Sequence, residues 1–126
     1  MLSPFIKEAT QKTPYVHFDP SEGLIEIKGK ATPENGHVLF DPMLNWLEAY
    51  SDNPSAKTNV NIHLEYFNTV SSKFILDIFK KLDTLYSKDN ETIVQWICDK
   101  DDEDMIEAGE DYQALVNFPM RIIEAD

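Results

Sequence analysis

Between residues 60 and 98 the spacing of the apolar residues changes twice, and this restricts the fold more than any other feature of the chain. Val60, Ile62, Leu64 and Tyr66 alternate with Asn61, His63, Glu65 and Phe67, the period of a strand. From Lys73 to Tyr86, Phe74, Ile75, Ile78, Phe79, Leu82 and Leu85 recur at helical spacing and make one apolar face. Thr92–Cys98 is again a strand pattern. Strand, helix and strand at this separation form a βαβ unit, with parallel strands joined by a right-handed crossover.

The residues before this unit read as short elements, because six of the seven prolines lie in the first 54 positions. Tyr15–Asp19 and Leu24–Lys28 flank Pro20-Ser21-Glu22-Gly23, where proline presets φ and glycine permits a tight reversal, so a β-hairpin is expected. Asp41 followed by Pro42 reads as an N-cap and first helical position. Met43, Leu44, Trp46, Leu47 and Tyr50 then recur at helical spacing up to Ser51-Asp52-Asn53-Pro54. A helix running through Pro42 would lose a hydrogen bond and clash with its own preceding turn, so His37–Phe40 reads as a separate helical turn. After the βαβ unit an acidic helix is expected from about Asp102 to Val116, and Met120–Glu124 either adds an edge strand or lies over the sheet. The expected fold is α/β: a mixed sheet with an N-terminal hairpin and a βαβ unit, and helices packed on the sheet. A chain of 126 residues without repeats or linkers fits one domain, 1–126, with its core at about 10–120.

Charge narrows the function. Asp and Glu outnumber Lys and Arg 23 to 11, for a formal charge of −12, and the basic residues do not cluster. Binding to nucleic acid or anionic lipid depends on Lys and Arg displacing counterions, so neither nucleic acid nor membrane is an expected partner; a protein with a basic face is. No apolar run approaches the length of a membrane span, the N-terminus lacks a secretory pattern, and Cys98 stands alone. A reduced cytoplasmic setting is the expectation.

Catalytic chemistry finds little material. His17, His37 and His63 fall on separate elements, Cys98 closes an apolar strand, and the four glycines make no phosphate loop. No catalytic residue and no cofactor is assigned, and the chain reads as a non-enzyme. The acidic run Asp99–Asp111 places Asp99, Asp101, Glu103 and Glu110 at EF-hand-like spacing, but Asp104 stands where that loop needs glycine, and Met105, Ile106 and Tyr112 look like a helix face. No metal site is therefore assigned. A module binding a divalent cation or small molecule through Asp99–Asp111 is the alternative function. As a protein-binding surface, the same run offers Asp101, Asp102 and Asp104.

The junction Asn68-Thr69-Val70-Ser71-Ser72 lies where a strand gives way to a helix. Helix starts expose unpaired amides and partial positive charge, so a phosphorylated hydroxyl is stabilised there, and Lys73 lies within a turn to balance it. On spacing alone the plainer reading is that Asn68 or Thr69 simply caps the helix. Beside the junction, either Tyr66 or Phe67 must face away from the strand's buried side, unless helices cover both sheet faces.

These residues also resemble a known family. Thr13-Pro14-Tyr15-Val16-His17-Phe18-Asp19-Pro20 with Gly23, Gly29, Pro33-Glu34-Asn35, Trp46-Leu47 and Leu64-Glu65-Tyr66-Phe67-Asn68-Thr69 with Ser71-Ser72-Lys73 are similar to the SiaC-type regulatory phosphoproteins of bacteria. So are Asp101-Asp102-Glu103-Asp104-Met105 and Glu107-Ala108-Gly109-Glu110-Asp111, and the blocks run in order over roughly residues 10 to 118. The resemblance implies a STAS-like domain whose unmodified form binds and activates an effector such as a diguanylate cyclase. It also implies phosphorylation by a dedicated kinase, reversal by a PP2C-type phosphatase, and control of cyclic-di-GMP signalling. The family's phosphorylated threonine falls on Thr69, with Ser71 and Ser72 as alternatives. Tyr66, Phe67, Asn68, Lys73, Asp101, Asp102 and Asp104 are the expected partner-binding residues, and the oligomeric state is left open.

Overall fold

The computed structural model describes residues 2–125. Among them six strands and three helices follow one another as β1 (Phe5–Lys7), β2 (Tyr15–Asp19), β3 (Leu24–Ala31), α1 (Gly36–Asp52), β4 (Lys57–Phe67), α2 (Thr69–Ser87), β5 (Glu91–Cys98), α3 (Glu103–Gln113) and β6 (Met120–Glu124). The strands form a single mixed sheet in sequence order. β1, β2 and β3 pair antiparallel, while β3, β4, β5 and β6 run parallel. The expected βαβ unit is therefore the middle of three, each with its own helix. Met120–Glu124 takes the edge-strand option. The short β1, at the other edge, carries too few residues to show a period.

The hairpin turn works as expected. Gly23 has φ +64°, and a Cβ there would lie 2.1 Å from the Lys57 carbonyl oxygen, so no other residue fits without moving β4. Asp19 Oδ1 accepts from both the backbone N–H and the hydroxyl of Ser21, at 3.0 and 2.8 Å, which tightens the reversal.

Each parallel crossover moves one strand further in the same direction, and right-handed crossovers of that kind put every helix on one face of the sheet. Burial follows this rule. Val16, Phe18, Ile25, Ile27, Val60, Ile62, Leu64, Val94, Trp96 and Cys98 are buried toward the helices. The alternate positions, among them His17, Glu26, Asn61, His63 and Gln95, are half-buried on the other face. The option of helices on both faces is thus overturned.

The second correction concerns Pro42. α1 is continuous from Gly36, and Pro42 lies inside it. The cap is Asn35, whose side chain accepts from the His37 N–H at 3.0 Å, not Asp41. One lost backbone bond is outweighed because the first turns bury Gly36, Leu39 and Phe40. α3 is shorter than expected; its cap is Asp102, which accepts from the Met105 N–H at 3.1 Å.

Candidate functional site

The C-terminal ends of β3 and β4 lead into α1 and α2, and the two helix starts meet there. Gly36 allows the close approach: a Cβ at that position would lie 2.5 Å from Phe74 Cε2 and 3.0 Å from Val70 Cγ1. Phe74 stacks on Phe40, with ring centroids 5.0 Å apart and planes 6° apart, and meets the His37 ring edge-on. Between the helices is a cleft of about 540 Å³ lined by Glu34, Asn35, Gly36, His37, Val70, Lys73, Phe74 and Asp77. Sequence reasoning missed this cleft, although Asn35 before Gly36 is a cap signal that could have marked the start of α1.

At the start of α2 the hydroxyl side chains have different tasks. Asn68 is the cap, and its Oδ1 accepts from the Ser71 N–H at 2.9 Å. Ser71 is fully buried, and its hydroxyl donates to the Ala31 carbonyl at 2.8 Å, tying α2 to the end of β3. The Ser72 hydroxyl turns back to the Thr69 carbonyl at 2.6 Å. Thr69, the first helical residue, is exposed. Because Asn68 holds the cap, the Thr69 hydroxyl has no hydrogen-bond partner among the described residues. Lys73, also exposed, follows four residues later on the same helix face.

The register of β3 on β4 decides between the two aromatic residues. It is regular up to Gly29 opposite Leu64 and then shifts, so that Lys30 pairs with Tyr66 and Ala31 with Phe67. The extra residue, Glu65, is a β-bulge that resets the alternation of side chains. Tyr66 is consequently 59% exposed. Phe67 packs on the helix side, with its ring 6.1 Å from that of Trp96 and 6.4 Å from that of Tyr112. Val70, 50% exposed, and Val38, 73% exposed, add apolar surface at the two helix starts.

The acidic run is divided by the start of α3. Asp102 is engaged as its cap, Glu103 and Asp104 favour its first turn by charge, and the Asp101 N–H donates to Glu124 Oε1 at 3.0 Å. Met105, Gly109 and Tyr112 face the core, and Trp96 Nε1 donates to the Met105 carbonyl at 2.9 Å. Tyr112 reaches α2, where its hydroxyl donates to the Ser72 carbonyl at 2.9 Å. Burial, with a smaller contribution from Asp111, pushes its pKa up to about 12. Among the described residues no three His, Cys, Asp or Glu side chains come together as a metal-binding group. The cation alternative therefore gains no assembled ligand set. His63 Nε2 does lie 2.8 Å from Asp99 Oδ1, a pairing across β4 and the end of β5 on the face away from the helices. No helix among the described residues is long and apolar enough to cross a membrane.

A one-sided α/β layer with an accessible threonine at a helix start, flanked by exposed apolar side chains and a basic residue, describes a small regulatory protein that works through its surface. The chain belongs to the SiaC family of regulatory phosphoproteins, whose family model matches residues 7–125. It is 27% identical over 113 residues to an uncharacterized protein of Pseudomonas aeruginosa strain UCBPP-PA14, with 90% of each chain covered. The crystal structure of apo-SiaC from Pseudomonas aeruginosa is similar at a TM-score of 0.87 and 25% identity, over 96% of this chain and 98% of that one. A chain in the crystal structure of the diguanylate cyclase SiaD in complex with its activator SiaC, from the same organism, is similar at a TM-score of 0.91. It is 26% identical, over 96% of this chain and 99% of its own.

Proposed function

We propose that this protein is a phosphorylation-switched binding protein without catalytic activity of its own. Its unmodified form binds and controls an effector, by analogy with SiaC as activator of the cyclase SiaD, so a diguanylate cyclase is the first effector class to test. Phosphorylation of Thr69 by a dedicated kinase releases the effector, and a PP2C-type phosphatase restores binding. The protein acts in the cytoplasm as a single domain and needs no cofactor.

The observation that carries this reading is the division of labour at the start of α2. Thr69 is exposed and uncommitted, whereas a kinase could reach the Ser71 hydroxyl only by opening the first turn. Ser72 is half-buried, with its hydroxyl held by the chain. A phosphate adds about −1.5 to −2 charges. On a chain already at −12 this changes the distant field little, so release is local. A dianion beside the exposed Val70 and Tyr66 cannot be buried under a partner without a large desolvation penalty. Tyr66 and Val70 are then the apolar contacts of the effector, with Asn68, Lys73 and the acidic positions Asp101, Asp102 and Asp104 around them. Phe67 acts from behind, as support.

The experiment is peptide mass spectrometry on protein from its own cells, with the wild type and Thr69→Ala compared, and effector capture measured for each form. A phosphate on Thr69, lost in the variant together with the release of the effector, supports the reading. A phosphate on Ser72 instead, or release that persists in Thr69→Ala, overturns the assignment.

A further inference from the structure

We propose that Lys73 holds the phosphate of modified Thr69 and thereby reverses the local charge that the α1/α2 cleft shows to a partner, an inference that rests on the reading of Thr69 above. Lys73 is four residues beyond Thr69 in regular helix, so the two side chains rise from neighbouring points on one face. Its ammonium has no ion-pair partner among the described residues, which leaves it available, as is Lys80 further along the same helix. His37, the other basic residue lining the cleft, already has Nδ1 3.2 Å from Asp41.

Asp77 is the natural competitor. It lies one turn beyond Lys73 and lines the same cleft, yet the two form no ion pair. Helix geometry explains the preference: an acid four residues N-terminal to a lysine attracts it better than an acid four residues C-terminal. A phosphate on residue 69 stands on the favoured side and carries up to twice the charge of Asp77. Lys73 therefore turns from the cleft toward the phosphate. The cleft edge at Lys73 goes from one positive charge to a net of about one negative charge.

The test uses the full chain carrying phosphothreonine at position 69, with the phosphate titrated by phosphorus NMR in the wild type and in Lys73→Gln. A neighbouring ammonium favours the dianion, so Lys73→Gln should raise the second phosphate pKa by roughly a few tenths of a pH unit, a difference that ~1 M salt removes. Lys80→Gln is the control, since it lies eleven residues along α2 from Thr69, roughly 16 Å away at the helical rise. Identical titrations of the wild type and Lys73→Gln overturn the proposal, as does an equal shift in Lys80→Gln, which would mean net charge alone is responsible. Effector binding by the modified and unmodified forms is measured separately. If phosphorylation leaves it unchanged, the regulatory reading fails while the titration still decides the role of Lys73.

Discussion

Replacing Asn68 by alanine tests the arrangement on which the accessibility of Thr69 depends. The substitution removes the Oδ1 acceptor 2.9 Å from the Ser71 N–H. It leaves the backbone bonds of residue 68 in place, from its N–H to the Ala31 carbonyl and from the Ser72 N–H to its carbonyl. Loss of such a cap costs about 0.5–2 kcal/mol, and the upper half applies because Ser71 is fully buried and its N–H gains no water in exchange. About 1.5 kcal/mol is expected. With an unfolding entropy of roughly 0.26 kcal/mol per kelvin for a chain of this length, Tm should fall by about 6 °C. Thermal and urea unfolding followed by tryptophan fluorescence form the assay, since Trp46 on α1 and Trp96 on β5 are both buried. Thr69→Ala is the internal comparison. Its hydroxyl is exposed and has no hydrogen-bond partner among the described residues, so its stability should stay within about 0.5 kcal/mol of wild type. Equal stability of Asn68→Ala and wild type, or a larger loss in Thr69→Ala, would refute the reasoning. It would mean that Thr69 caps the helix and that its hydroxyl is not free.

Gly36→Ala should destabilise the fold by about 1–3 kcal/mol in the same assay, because its Cβ would overlap the Phe74 ring and force α1 and α2 apart. Tyr112 should ionise at about pH 12 by ultraviolet absorbance, well above an unperturbed tyrosine. With its pKa raised in the folded state, its contribution to stability is complete below the unfolded value of about 10 and is lost as pH rises from there to about 12. Tyr112→Phe should remove that step from the stability profile. Burial, and the Asp102 carboxylate after it, raise the Cys98 thiol pKa, so a thiol reagent should modify it slowly in the native protein and fully in denaturant. Rapid native modification would show that the end of β5 opens.

The boundary between what was legible and what was not follows the range of the interactions. Alternation in Val60–Leu64, helical spacing in Phe74–Leu85 and the Pro20–Gly23 turn are set by backbone geometry a few residues at a time, so β4, α2, β5 and the hairpin could be read directly. The Asn68–Ser72 junction could be marked for the same reason as a place for a phosphorylated hydroxyl, but the choice of Thr69 over Ser71 and Ser72 comes from the family resemblance. Whether the Thr69 hydroxyl is free could not be read at all, because Asn68 and Thr69 are both good caps and the start of α2 is tied down through the Ser71 hydroxyl and the Ala31 carbonyl, forty residues away. Pro42 misled because its local penalty is real, yet burial of Leu39 and Phe40 against the sheet and α2 outweighs it. Tyr66 and Phe67 could not be told apart from β4 alone. Their orientation comes from the register shift opposite Gly29 and Lys30, which exists only once β3 and β4 are paired. The sequence by itself thus determined most of the elements and the junction that carries the candidate hydroxyls, whereas the tertiary structure decided where α1 begins, which side chains are committed and which are left exposed, because burial and hydrogen-bond partners are contributed by residues distant in the chain.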